Sequence, residues 1–378
     1  MSNNISDKIK TSLLLNSYLD TLGFKNTEWE FNFGFKNNTN PLQANVIWLH
    51  LIHNYYALGG SNIDISDWNS SDDTILTIAT GEGCIKGGEI NDYIDAYQKK
   101  LKLLEDPKRA SGINTLNTLK KIIKLKNLEK IPYLESMGGN GAAIRTSPIG
   151  LKFYKEEDID KLIKQSIDSS RITHNYTMGF LSGLVTALFT SYAIRDIPVE
   201  RWSELLIKLK ESNKIEKYMK NTNINTKFLE DQKDFWAKWY QYNEKRLKNI
   251  NKKTSDKYLY PLDRIDDMKD YFPGLKFDKD QVNYNYWGSS GVGAVILAYD
   301  SLLLSKYFDK KENKHLISLD SLIFFSALHF GDNDSTGAIA GSWYGALQGT
   351  QYNKDLNEKF NQLEFYDDII KLSEKIIN

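Results

Sequence analysis

Apolar residues recur at spacings of three and four in five separate stretches of this chain: SLLLNSYLDTL (12–22), TLKKIIKLKNLEKI (118–131), DIDKLIKQSI (158–167), WSELLIKLKESNKIEKYM (202–219) and FYDDIIKLSEKII (365–377). That spacing gathers apolar side chains on one face of a helix, whereas the period-two alternation of a half-buried strand is rare here. The pattern predicts an all-α protein. Only 7 prolines are spread over 378 residues, with no Pro/Gly/Ser-rich linker, block of like charge or repeat of fixed period. One helical domain over residues 1–378 is therefore expected, long enough to bury a core without disulfides.

Charge narrows the partners. Lys plus Arg and Asp plus Glu are both 49, which removes the electrostatic case for a nucleic-acid or anionic-membrane partner. The basic, aromatic stretch KDFWAKWYQYNEKRLKNINKK, within residues 221–257, reads as an exposed helix with a buried aromatic stripe. The single Cys84 excludes an intramolecular disulfide and a multi-cysteine zinc site, and it suits a reducing compartment. The N-terminal MSNNISDKIKTSLLLNSYLDTLGF has no continuous apolar run followed by small residues, so no signal peptide is read and a cytoplasmic location is expected. TMGFLSGLVTALFTSYAI (177–194) is the longest uncharged run. It falls short of the roughly 20 apolar residues of a membrane span. Its glycines and hydroxyls predict a close-packed core helix instead.

Two acidic clusters admit two readings from spacing alone, a pair of acidic helix N-caps that never meet or the two halves of one cation site. Ser71-Asp72-Asp73-Thr74 runs directly into ILTIAT, where a helix should begin with Ser or Asp as its N-cap. One cap needs one oxygen, and four oxygen-bearing side chains stand in a row. Asp332-Asn333-Asp334-Ser335 repeats the design before a small-residue helix expected from about Gly337. A carboxylate at a helix N-terminus gains only about 0.3–1 kcal/mol, too little to crowd several together without a cation. All-oxygen donors with no nearby Cys or His pair indicate Mg²⁺, Mn²⁺ or Ca²⁺ rather than zinc. An EF-hand is excluded by Trp343, which stands where that loop carries its bidentate Glu. His50 and His53 share a helix face but lack a third ligand.

Five ordered blocks across nearly the whole chain resemble the ADP-ribosylglycohydrolase family, most of all its arginine hydrolases: LDTLGFKNTEWEF (19–31), SDDTILTIAT (71–80), GGNGAAIRTSPIGL (138–151), RITHNYTMGFLSGLVTALFTSYAI (171–194) and GDNDSTGAIAGSWYGALQG (331–349). The resemblance implies a single orthogonal helical domain, two Mg²⁺ ions with Mn²⁺ as the other candidate, and cleavage of the bond joining mono-ADP-ribose to a protein side chain, with ADP-ribose as product. It implies metal ligands at Ser71, Asp72, Asp73, Asp332, Asp334 and Ser335. Asp72, Asp73 and Asp332 remain candidates for the base, with Glu30 near the scissile bond. Asp20 falls in an Asp-x-Leu-Gly turn and is read as structural; Leu19 departs from the Gly that family members usually carry there. For the substrate, the resemblance assigns Gly139, Asn140 and Gly141 to the diphosphate and adjacent ribose, with Arg145 supporting that loop. His174 lines the adenosine side, and the turn Arg109 to Gly112 faces ADP-ribose. The loop Asn285 to Gly291, with Trp287, Ser289 and Ser290, reaches the ribose and adenine. After it the likeness loosens, for Val292, Gly293 and Val295 stand where arginine hydrolases carry His, Asp and Pro. Serine-linked ADP-ribose, O-acetyl-ADP-ribose and a non-catalytic ADP-ribose binding module are the alternatives.

Overall fold

The computed structural model describes residues 5–32, 41–250, 261–268, 276–278, 281–282, 286–308, 317–350 and 355–377. Helices dominate these residues, with one short antiparallel pairing of Lys276–Asp278 and Gln281–Val282. The expected all-α class is what the chain adopts. Buried apolar side chains from Ile9 to Ile376 join in one continuous core.

The helices that carry the site are Ile5–Phe24, Asp72–Lys86, Thr177–Ile194, Gly291–Phe308 and Asn333–Gln348. Of these, Ile5–Phe24 and Asn333–Gln348 lie antiparallel and unusually close. A Cβ added at Gly337 would come within 3.0 Å of the Leu19 carbonyl oxygen, one at Gly341 within 2.5 Å of that of Leu15, and one at Gly345 within 2.5 Å of that of Thr11. Glycine inside a helix costs roughly 0.5–1 kcal/mol relative to alanine; here it lets two backbones touch along three turns. Thr177–Ile194 is enclosed, with 94% of its residues buried. Its hydroxyls bond back to the helix as expected, Thr190 to the Thr186 carbonyl at 2.8 Å and Ser191 to that of Leu188 at 2.7 Å.

The aromatic stretch is amphipathic. Phe228, Phe235, Trp236 and Trp239 are buried along helix Asn225–Gln241, and Trp239 meets Phe189 with ring centroids 5.7 Å apart. Residues 251–257 of that stretch lie outside the described residues. Two expected helices are shorter than their periodicity. The 118–131 pattern ends at Leu125, where Lys126 turns left-handed (φ 45°), and 202–219 is divided at Asn213 (φ 56°). Asparagine tolerates that conformation because its short polar side chain bonds locally, and side-chain periodicity carries no trace of it.

Candidate metal centre and substrate loops

Ser71 caps the Asp72–Lys86 helix, its hydroxyl accepting the Asp73 N–H at 3.0 Å. Two further backbone donors at this helix start go to Asp20 on the N-terminal helix. Its Oδ1 accepts the Ser71 N–H at 3.4 Å, its Oδ2 accepts the Thr74 N–H at 3.1 Å, and the Thr74 hydroxyl donates to the same oxygen. A carboxylate from another helix thus caps part of this terminus, and the Asp73 side chain is left for other work.

The second cluster starts earlier than expected. Its helix begins at Asn333, four residues before Gly337, with Asp332 in the N-cap position but making no side-chain cap bond. Instead Asp332 Oδ2 accepts Asn140 Nδ2 at 3.0 Å. Ser335 Oγ donates to Asp73 Oδ2 at 2.8 Å across 262 positions of sequence. That bond brings the two acidic clusters together. Glu30 enters from a contorted turn in which Lys25, Asn26, Thr27 and Phe31 all take positive φ (39°, 55°, 75° and 49°). Such residues cost on the order of 1–3 kcal/mol each and persist only where surrounding structure imposes them. Here the Phe31 N–H is tied to the Gly331 carbonyl at 3.0 Å.

The result is two buried triads of carboxylates that share one member. In Asp20–Asp73–Asp334 and in Glu30–Asp332–Asp334, one oxygen from each residue lies within 4.8 Å of the others. Burial, reinforced by the neighbouring charges, pushes Glu30, Asp73 and Asp334 well above the usual carboxylate range. Burial likewise raises Asp20 to about 6 and Asp72 to about 7, and lifts Asp332. Glu30 Oε2 and Asp332 Oδ1 are buried without any hydrogen-bond partner. Unsatisfied acceptors and mutually repelling carboxylates are what a bound hard cation would resolve, so this all-oxygen donor set fits Mg²⁺ or Mn²⁺.

Of the expected ligands, Asp73, Asp332 and Asp334 converge, and Ser335 bridges them. Ser71 is engaged as a cap. Asp72 is half-buried and stands outside both triads. The expected ADP-ribose-facing turn, Arg109 to Gly112, is braced by Arg109, which forms a two-pronged pair with Glu364 at 2.6 Å and donates to the Ser70 carbonyl at 2.9 Å. Sequence reading left Asp20 out of the site. Its signal was a carboxylate within the apolar run SLLLNSYLDTL, where an unpaired charge has no place. His50 and His53 join no acidic or His/Cys cluster among the described residues.

The two loops assigned to substrate are zipped to each other and to the metal centre. Asn140 N–H donates to the Ser289 carbonyl at 3.0 Å, Gly291 N–H to that of Gly138 at 2.9 Å, and Gly139 and Ser290 form a β-bridge. Asn140 Nδ2 also reaches the Gly288 carbonyl at 3.1 Å, and the Asp332 N–H donates to that of Trp287 at 2.8 Å. Ser289 Oγ donates to the Tyr286 carbonyl, while Ser290 Oγ accepts the Gly293 N–H at the start of Gly291–Phe308. Trp287 turns its ring inward, stacked on Phe330 at 4.8 Å. Asn285 lies outside the described residues.

His174 backs the glycine loop so closely that a Cβ at Gly141 would lie 2.5 Å from its Cε1. Burial, together with Arg145, lowers its pKa to about 3 and keeps it neutral. Arg145 donates to the Gly141 carbonyl at 2.8 Å and to Thr173 Oγ1 at 2.7 Å, and Thr173 bonds His174 Nδ1 at 2.8 Å. Arg145 therefore holds the loop, as its position after the glycines implied.

With this geometry the comparison with known proteins agrees. The sequence matches the model of the ADP-ribosylglycohydrolase family over residues 1–378. The chain belongs to the ADP-ribosylglycohydrolase family. It is 34% identical to the ADP-ribosylhydrolase ARH1 of Dictyostelium discoideum, over 98% of this chain and 94% of that protein. It is 31% identical to a putative ADP-ribosyl glycohydrolase of Acanthamoeba polyphaga mimivirus, over 96% of this chain and 68% of the viral protein. The fold is shared with a solved structure titled ADP-ribosylglycohydrolase-related protein complex, at a TM-score of 0.55 and 16% identity, covering 98% of this chain and 97% of that one. As an ADP-ribosylglycohydrolase, the protein belongs among metal-dependent hydrolases of ADP-ribosyl groups that release ADP-ribose.

Proposed function

We propose that this ADP-ribosylglycohydrolase removes mono-ADP-ribose from modified arginine side chains of proteins, using two Mg²⁺ ions. The meeting of the two acidic clusters through Ser335 and Asp73 carries this reading, because it creates paired triads with Asp334 common to both. Asp20, Asp73, Asp334, Glu30 and Asp332 would hold the ions, with Ser71, Asp72 and Ser335 beside them. When bound, the ions would supply Lewis acidity at the ribose and neutralise the crowded carboxylates.

Hydrolysis breaks the bond between the anomeric carbon and the arginine nitrogen, which departs with the bonding pair as neutral guanidine; water supplies the oxygen that replaces it, and the proton the water gives up passes on to the guanidine to restore guanidinium. Asp72 would take the water's proton, a role supported by its position outside both triads and at the less buried edge of the cluster. Positive charge developing at the anomeric carbon is stabilised by the surrounding carboxylates. Six acidic side chains (Asp20, Glu30, Asp72, Asp73, Asp332 and Asp334) outnumber the four positive charges that two divalent ions would bring, a field that favours a substrate carrying a cationic guanidinium. Asn140, held between Gly288 and Asp332, positions the loop assigned to the diphosphate against the reacting centre.

Free ADP-ribose released from arginine-ADP-ribosylated protein, with Mg²⁺ and again with EDTA, tests the reading. Release in Mg²⁺ alone is expected. Val292, Gly293 and Val295 favour one alternative, the same hydrolysis of serine-linked ADP-ribose or O-acetyl-ADP-ribose, and side-by-side rates on those substrates decide between them.

A further inference from the structure

We infer that the single helical turn Asp20 to Gly23 is the spacer that sets the distance between the two acidic clusters, with Gly23 as a positioning residue for cation binding. This rests on the proposed metal centre.

Three side chains or backbone sites of that turn each engage a different part of the site. Asp20 accepts the Ser71 and Thr74 N–H groups, and Thr21 Oγ1 bonds Ser70 Oγ at 2.9 Å. Together they seat the N-terminus of Asp72–Lys86 on one side of the first helix. Gly23 receives the other cluster: a Cβ there would stand 2.7 Å from both the Cα and the N of Asp334, and 3.0 Å from the carbonyl carbon of Asn333. All of those are backbone atoms, so no side-chain rotation relieves the clash. A methyl group at Gly23 must push the start of Asn333–Gln348 away from the first helix. Asp334 is the member common to both triads, so the displacement opens both while Asp20 still grips the first cluster.

The same helix pair supplies its own control. A Cβ at Gly345 would strike Thr11 and Ser12 backbone atoms at 2.5–2.6 Å, a comparable intrusion about 18 Å farther along the helix. Isothermal titration of Mn²⁺ into the metal-free full-length protein should show Gly23→Ala weakening affinity roughly tenfold to a hundredfold, the range typical of residues that orient metal ligands. Gly345→Ala should lower the melting temperature as much or more while keeping wild-type affinity. Wild-type affinity in Gly23→Ala, or equal weakening by Gly345→Ala, overturns the inference. Should circular dichroism show Gly23→Ala unfolded, the isosteric Thr21→Val, which removes the bond to Ser70 and touches no carboxylate of the triads, takes its place, with weakened Mn²⁺ binding expected and unchanged binding overturning the inference. A wild-type protein that binds no Mn²⁺ would instead remove the metal centre on which the spacer depends.

Discussion

Each carboxylate of the centre carries a cost that a cation removes, and pH exposes it. Asp20 and Asp72 are raised by burial from the ordinary 3.8 to about 6 and about 7. In the metal-free protein the folded state therefore holds protons that the unfolded chain has released, so stability falls as pH rises through those values. Two buried imidazoles, His174 and His329, are shifted downward and act in the opposite sense below their ordinary 6.5. The clean window lies between: calorimetric melting of metal-free protein should rise from pH 8 to pH 6.5, and saturating Mg²⁺ should flatten the slope. Asp334→Asn removes charge without volume from the member shared by both triads. It should abolish tight Mn²⁺ binding and ADP-ribose release while the metal-free variant melts no lower than wild type. A lower melting temperature with intact binding would contradict the shared position. At this scale the sequence was half legible: local motifs exposed the paired clusters, but Asp20 was read as a turn residue because its partners lie 51 and 54 positions away.

Among the elements, the glycine loop before Ser147–Lys152 depends on fit rather than on glycine's flexibility. Gly141→Ala would place its methyl against His174, so the loop must move, at a cost of about 1–3 kcal/mol for overpacking. The expected result is a raised KM with the metal affinity unchanged. Adding His174→Ala should restore part of the lost stability in a double-mutant cycle, and strict additivity would argue against the contact. Helix boundaries were the least legible part of the elements. Asn333–Gln348 begins four residues before Gly337 because Asp332 and Asp334 are held by Asn140 and by the first helix, not because of local propensity. The stop at Lys126 and the break at Asn213 likewise depend on single left-handed residues.

Across the molecule, the loop at residues 286–291 is tied to a buried ion network outside the acidic triads. Asp300 accepts Arg246 Nε at 2.7 Å, Arg264 Nε at 3.1 Å and the Tyr242 hydroxyl at 3.1 Å, all deep in the core. Arg264 also lies over the Trp287 ring at 5.8 Å. Asp300→Ala would remove the carboxylate that two buried guanidinium groups share, an effect of about 3–5 kcal/mol when one partner of a buried pair is removed. A large drop in the urea midpoint is expected, and a change within about 0.5 kcal/mol, the scale of surface substitutions, would show the network to be dispensable.

The chain's own pattern determined the helical class, the apolar faces, the buried Thr177–Ile194 helix and the pairing of oxygen-rich helix starts, since these follow from local periodicity and residue chemistry. Tertiary structure alone decided which carboxylates meet. That depends on two helices approaching at glycine contacts and on hydrogen bonds reaching across 262 positions, distances that no local spacing encodes. It also decided that Asp20 joins the cluster while Asp72 stands outside the triads. Burial and neighbouring charge, which exist only once the chain has folded, assign those roles.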